Sequence, residues 1–116
     1  MKNGIVLKKA QENYDFVDDF YNGFARFWLD GKWGFIDGDG KEICKRYDYV
    51  LEFENGFAPV KLNHKWGLIN ENGEEICNIK YDFVCITVIN GFAYNVWIGT
   101  KKYIINKDGK IVNHYG

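Results

Sequence analysis

The sequence of 116 residues has few of the side chains that enzymes use as nucleophiles or bases. It contains no serine, only two threonines and only two histidines, and the positions of His64 and His114 favour surface sites. Nucleophilic catalysis needs a hydroxyl or a thiol held beside a base. The shortage therefore predicts a chain that has no catalytic residues and is not an enzyme.

Charge of one sign and long apolar runs are also lacking. The 15 Lys and Arg residues nearly balance the 16 Asp and Glu residues, and no long block of one sign occurs. Binding to nucleic acid or to an anionic membrane needs clustered positive charge, so we expect neither partner. No apolar run approaches the ~20 residues of a membrane helix, and the N-terminus lacks a signal-peptide core. These features favour a cytoplasmic protein.

Aromatic residues and glycines are abundant. Aromatic residues make up 18% of the chain, and most of the 13 glycines lie in Asn-Gly or Asp-Gly pairs. Aromatic side chains suit the half-buried surface of a sheet, and these glycine pairs are typical of tight β-hairpins. The composition therefore predicts strands joined by short turns.

Two stretches have nearly the same sequence, GKWGFIDGDG at 31–40 and HKWGLINENG at 64–73. Tyr-Asp pairs at 14–15, 47–48 and 81–82 are 33 and 34 residues apart, and the last glycine turn, at Gly109, follows Gly73 by 36 residues, so the repeats are about 33 to 36 residues long. A period of this size is typical of repeat proteins, in which each unit buries its apolar face against its neighbours.

Three turns in each repeat predict three strands in each repeat. In the first repeat we expect strands at 14–20, 24–29 and 32–36. Side chains alternate across a strand, so one face of the second strand and of its counterpart is predicted to lie in the core: Ala25, Phe27, Leu29, Ala58, Val60 and Leu62. Pro59 has no N–H, which favours an edge position for its strand, or at least an N–H site that is turned away from a partner.

The predicted fold is an all-β domain over 1–116, with about three tandem antiparallel three-stranded units, no substantial helix, and an open or barrel-like array. Residues 1–13 are expected to form a leading, capping strand. The units are expected at 14–46, 47–80 and 81–116. The third unit is divergent because Lys102-Tyr103 replaces Trp-Gly, which is typical of a capping repeat.

The Lys-Trp-Gly motif, the apolar-Ile-Asp/Asn stretch after it, the Gly turn and the Tyr-Asp-x-Val motif resemble the WG (or KWG) repeat family of bacterial proteins. The resemblance covers about residues 14 to 113, and two of the three units match closely. It implies a repeat architecture, and it supplies no catalytic residues.

The recurring positions have structural interpretations. Trp33 and Trp66 are predicted to pack repeat on repeat, with Gly34 and Gly67 allowing close approach. The aspartates of the Tyr-Asp pairs recur in every unit, as expected of carboxylates that brace turns through backbone N–H groups; they are Asp15, Asp48 and Asp82.

Cysteines are interpreted as apolar filler and not as ligands. Cys44 and Cys77 share a repeat position at which the third unit has Val112, and valine replaces a small buried thiol more readily than a ligand. Cys85 makes the number odd, which fits a reducing compartment. No zinc spacing occurs, and Gly38–Lys41 lacks the spacing of a phosphate loop. We expect no metal and no cofactor.

Trp28 is predicted to face outward, because it alternates with the core positions of its strand. With Arg26 and Phe24 on the same face, and with Trp97 as the other non-recurring tryptophan, it forms the candidate binding site. The leading hypothesis is a binding or scaffold module for a protein or peptide, since repeat arrays present extended surfaces. The alternative is carbohydrate binding on aromatic platforms; a small-molecule or glycan ligand thus remains open.

Overall fold

The computed structural model describes residues 2–44, 46–54, 56–87, 93–106 and 111–115. The elements are α1 (Lys2–Asn13), β1 (Phe16–Val17), β2 (Ala25–Leu29), β3 (Lys32–Ile36), β4 (Tyr49–Val50), β5 (Phe57–Leu62), β6 (Lys65–Asn70), β7 (Glu75–Tyr81), β8 (Phe83–Thr87), β9 (Ala93–Ile98), β10 (Lys101–Asn106) and β11 (Ile111–Tyr115).

The strands form three antiparallel sheets, in which each strand pairs with the next one along the chain. The first sheet contains β1 to β3, the second β4 to β7 and the third β8 to β11. This arrangement confirms the predicted all-β repeat architecture, and the order of the described strands shows three open sheets.

The second and third sheets have a fourth strand that the turn pattern did not predict. β7 pairs with β6, and β11 pairs with β10. In the first sheet the described residues of the corresponding segment make two isolated bridges, Ile36 with Glu42 and Trp33 with Tyr47. The segment that leads from one unit into the next therefore completes the sheet of the unit that it leaves.

The prediction of a leading strand over 1–13, and of no substantial helix, is wrong, because Lys2–Asn13 forms α1. Val6, Leu7 and Ala10 lie on one face of this helix and pack against the first sheet. The helical spacing of these apolar residues allows one stripe to cover the sheet. A helix therefore covers the face on which a preceding repeat would lie.

The core consists of three clusters, one between each pair of successive layers. The first lies between α1 and the first sheet, the second between the first and second sheets, and the third between the second and third sheets. Ala25 and Phe27 of β2 are fully buried, as are Ala58 and Val60 of β5. The first and second sheets thus bury both faces against neighbouring layers, and the third buries the face that meets the second sheet, as expected for a repeat protein.

Pro59 does not lie on an edge strand, so of the two expected placements only the second, an N–H site turned away from a partner, applies. β5 pairs with β4 on one side and with β6 on the other. β4 ends at Val50, and beyond it the carbonyl of Pro59 accepts a hydrogen bond from the N–H of Leu51. A central strand tolerates this proline because its short neighbour has already ended where the missing N–H would point.

Turns of two residues join the second and third strands of each sheet. Asp30 and Gly31 have φ values of 52° and 80°, and Asn63 and His64 have φ values of 53° and 69°. Two positive φ values are the requirement of a type I′ hairpin. We refer to this end of the sheets as the hairpin-tip end.

Candidate interaction surface

Aromatic side chains lie at the hairpin-tip end of every sheet, opposite one another or opposite a lysine. Directly opposed residues of antiparallel strands project on the same face. The register therefore produces one row in each sheet: Phe16, Trp28 and Trp33 in the first, Tyr49, Lys61 and Trp66 in the second, and Phe83, Trp97 and Lys102 in the third.

Rings from the three rows form one continuous series, which we call the aromatic ladder. Consecutive centroids are 6.1, 5.6, 6.4, 5.8 and 5.5 Å apart. Adjacent planes are inclined by 73° to 88° at the first four contacts and by 52° at the last. Edge-to-face contacts of this kind are favourable between aromatic rings. The ladder consists, in order, of Phe16, Trp33, Tyr49, Trp66, Phe83 and Trp97.

The ladder alternates between exposed and half-buried rings. Phe16 is 49% exposed, Tyr49 is 38% exposed and Phe83 is 43% exposed. The three tryptophans between and after them are half-buried. Trp28, beside the first rung, is 38% exposed. Several large apolar side chains therefore meet solvent along one line that crosses all three sheets.

The third sheet keeps a tryptophan although its WG motif is lost. In the second sheet the ammonium of Lys61 lies 5.8 Å from the ring centroid of Trp66. In the third sheet Lys102 takes the tryptophan position, and its ammonium lies 6.0 Å from the ring of Trp97 on the opposite strand. The two residue types have exchanged strands, and the cation–π contact is retained.

This exchange corrects the interpretation that Trp28 and Trp97 have no repeat equivalence. Both occupy the same place in the second strand of a sheet, opposite the position of the WG tryptophan. The sequence contains the necessary signal, since Trp97 follows Lys61 by the same interval as that by which Lys102 follows Trp66.

Arg26 lies beneath the ladder and connects the first two sheets. Its guanidinium carbon lies 5.4 Å from the ring centroid of Trp33. Its Nη2 donates to Asp18 Oδ2 at 2.7 Å, and its Nη1 donates to the carbonyl of Val50 at 3.1 Å. Partial burial opposes the charge of Arg26, but these and other polar contacts outweigh it, and the pKa of Arg26 is raised.

Glu52 is the second carboxylate beside Arg26. Its Oε1 lies 2.6 Å from Arg26 Nε but accepts no hydrogen bond, because that N–H is directed at Asp18. Burial raises the pKa of Glu52, and the nearby guanidinium partly opposes this effect. Arg26 is therefore a neutralised, sheet-linking residue and presents little free charge to a partner.

Phe24 lies away from the ladder, although the sequence placed it with Arg26 and Trp28. Its ring centroid is 4.4 Å from that of Phe53, and it packs against the core between the first and second sheets. The structure therefore brings Trp28, Arg26 and Trp97 to the aromatic rows and directs Phe24 into the molecule.

The recurring aspartates lie at the hairpin tips. The carboxylates of Asp15, Asp48 and Asp82 accept hydrogen bonds from the turn N–H groups of Asp30, Asn63 and Gly99 at 3.1, 2.8 and 2.6 Å. Each carboxylate thus satisfies a backbone donor of the turn in its own sheet, which is a common role of aspartate in turns.

Lysines add a contact between sheets that the sequence did not predict. Lys32 of the first sheet pairs with Asp48 of the second, and Lys65 of the second pairs with Asp82 of the third at 2.5 Å. The lysine hydrogen bond is the main reason why the pKa values of Asp48 and Asp82 are lowered. The lysine of the Lys-Trp-Gly motif therefore joins its own unit to the next.

The glycine of the WG pair has a steric role in the first sheet. A Cβ on Gly34 would lie 2.6 Å from Cζ of Phe27, which is directly opposite on β2. Such a contact is far closer than carbon atoms tolerate. The third sheet places Tyr103 opposite the smaller Val96. In both sheets one large side chain therefore fills this space, and the residue opposite it is either glycine or a smaller residue.

Residues considered for chemistry are not assembled into a reactive centre in the described part of the chain. Burial raises the pKa of Cys44 to about 11, so its thiol is a poor source of thiolate. The side chains of Cys77, Cys85 and His114 lie outside the described ones. No three His, Cys, Asp or Glu side chains among those described are grouped to hold a metal ion. The described helix is too short and too polar to span a membrane.

The model of the WG containing repeat family matches residues 13–33, 33–66 and 66–94. No curated protein matches the chain. The three matches cover most of the sequence and agree with the repeated sheets and rows described above. The fold and the rows define a β-repeat protein. The chain belongs to the WG repeat family.

Proposed function

We propose that this repeat protein is a non-catalytic module that binds a protein or peptide through the aromatic ladder. The observation that carries the proposal is the alignment of Phe16, Tyr49 and Phe83, each 38% to 49% exposed, along one line across three sheets. Exposed aromatic side chains that form a continuous surface are typical of interaction sites.

The site is also rigid, which favours affinity. Each exposed ring of the ladder touches at least one half-buried tryptophan, and the sheets are joined there by the Lys32–Asp48 and Lys65–Asp82 ion pairs. Side chains that are already held in place lose little conformational entropy when a partner binds.

The geometry favours a peptide over the carbohydrate alternative. A sugar stacks on the face of a ring, and a chain of sugars needs several ring faces in similar orientations. Neighbouring ladder rings are instead inclined by 73° to 88° over most of the series. An irregular surface of edges and faces suits the side chains of a polypeptide better.

Capture of partners from native cell extract tests the proposal, with Tyr49→Ala in the ladder and Trp28→Ala beside its first ring, which we together call the ladder variants. Tyr21→Ala is the matched control, because Tyr21 is 46% exposed but precedes β2 at the end far from the hairpin tip. We expect the ladder variants to lose a partner that the control retains. Retention of every partner by both ladder variants would refute the proposal.

A further inference from the structure

The edge strands beside the ladder offer little backbone for pairing. β1 and β4, which carry Phe16 and Tyr49, are sheet edges of two residues each, and only β8 is longer, with five residues. A ligand that adds a strand to a sheet depends on a row of free main-chain groups. Recognition at the first two sheets must therefore depend on ring surfaces.

The ladder forms ridges and grooves with a regular period. Exposed Phe16, Tyr49 and Phe83 are the ridges, and the half-buried Trp33 and Trp66 are the floors between them. Packed sheets are spaced about 10 Å apart, which sets the approximate distance between ridges. One turn of a polyproline II helix contains three residues and advances about 9 Å. Such a helix can therefore place every third residue, all on one of its sides, into successive grooves of the ladder.

Proline is suited to these grooves chemically as well as geometrically. Its ring is apolar and packs on aromatic faces, and its backbone is already extended before binding. A ladder that provides ring faces and few hydrogen-bonding edges gains most from a ligand that needs no strand pairing. Preorganisation also reduces the entropy that the ligand loses.

Most of the charged side chains around the middle of the ladder are paired with charges of the opposite sign. Lys32 and Lys65 are paired with aspartates, and Arg26 is paired with two carboxylates. Lys61 lies over Trp66 at 5.8 Å and has no ion-pair partner among the described residues. A carboxylate of the ligand close to the ring of Trp66 would supply the missing partner.

From these observations we infer that the ligand of the ladder is a proline-rich segment in the polyproline II conformation, with an acidic residue beside its prolines. This inference rests on the proposed function and specifies its ligand. The prolines pack between the exposed rings, and the acidic side chain pairs with the ammonium of Lys61.

Titration of the full chain with synthetic peptides tests the inference. The probe is a short oligoproline with glutamate at each end. One control peptide has glycine and serine in place of proline, and another has lysine in place of glutamate. We expect saturable changes in tryptophan fluorescence with the glutamate-flanked oligoproline and much weaker ones with either control. Equal binding of the glycine–serine peptide, or stronger binding of a cello-oligosaccharide, would overturn the inference.

Variants of the full chain locate the peptide. We expect Tyr49→Ala to weaken binding about tenfold or more and Tyr21→Ala to leave it unchanged. Lys61→Glu should weaken the glutamate-flanked peptide and strengthen the lysine-flanked one, because it reverses the charge beside Trp66. Circular dichroism first establishes that each variant is folded. Equal losses in Tyr49→Ala and Tyr21→Ala would contradict binding at the ladder.

The two proposals fail separately. If no oligoproline binds, while Tyr49→Ala still loses a protein that Tyr21→Ala captures, the ligand class is wrong and the interaction surface stands. If the ladder variants lose no captured partner, the interaction surface itself is wrong.

Discussion

Gly73 lies where the turn of the second sheet presses against the segment that leaves the first sheet. A Cβ built on it would be 1.7 Å from the carbonyl oxygen of Ile43, and its φ is +81°. Gly40 is the equivalent residue of the first sheet, with a φ of +85°, and its Cβ would be 3.3 Å from Cγ1 of Val6 in α1. A comparison of alanine substitutions at Gly73 and Gly40 therefore separates the free-energy cost of a backbone clash from that of a side chain at positive φ.

We expect Gly40→Ala to lower the free energy of unfolding by about 1 kcal/mol, which is the cost of a side chain at positive φ. The methyl end of Val6 can move by the small distance required. Gly73→Ala carries the same cost, and it must also displace the Ile43 carbonyl and with it the packing of the first two sheets. Overpacking of this kind adds up to about 3 kcal/mol, so the expected loss is about 4 kcal/mol.

Urea unfolding measured by tryptophan fluorescence provides the test. With a denaturant dependence of about 1.5 kcal/mol per molar, the midpoint should fall by about 0.7 M for Gly40→Ala and about 2.7 M for Gly73→Ala. Gly23→Ala is a further control, because Gly23 has φ +90° and open space around it. Equal losses in all three variants would refute the close approach of the two sheets at Gly73.

Three further predictions follow from the turns and from the hydroxyl of the half-buried Tyr14. Lys32 lowers the pKa of Asp48, so the stabilisation that the Asp48 carboxylate provides is present above the pKa of unfolded aspartate and is lost as pH falls. Asp48→Asn should therefore lower the free energy of unfolding at neutral pH only. An equal loss in acid would contradict this. His64 has φ 69°, so His64→Gly should stabilise the fold by about 1 kcal/mol in denaturant titration, and no change would show that the turn relaxes without cost. Burial, followed by the hydrogen bond to Glu42, raises the pKa of Tyr14 to about 12; its stabilisation is present below the pKa of unfolded tyrosine and is lost as pH rises through about 12. Tyr14→Phe should remove an absorbance step near that pH, and loss of a step at the ordinary tyrosine pKa would contradict the burial.

Local sequence was sufficient for the second and third strands of the described sheets and for the turns that join them. Asp30-Gly31 and Asn63-His64 adopt the positive φ values that a tight hairpin requires, and this requirement acts within a few residues. The alternation along β2 likewise predicted the burial of Ala25 and Phe27. These properties depend on backbone sterics and on the two-residue period of a strand, both of which can be read from the sequence.

The N-terminal segment shows where local sequence was insufficient. Ile5-Val6-Leu7 is a short apolar run that suits either a strand or a helix. The exposed face of the first sheet decided the outcome, because Val6, Leu7 and Ala10 can cover it as one helical stripe. The choice depended on a packing partner that is distant in sequence.

The aromatic ladder also required the tertiary structure, although every ring in it was visible in the sequence. Exposure of Tyr49 and Phe83, partial burial of Trp33, and the exchange between Trp97 and Lys102 depend on the register across strands and on which sheet packs beside which. The sequence by itself determined the period, the second and third strands of each unit and the turns between them, because their causes lie within one repeat. Only the tertiary structure decided the helical cap, the Lys–Asp links and the line of exposed rings, because each of them arises where one layer meets the next.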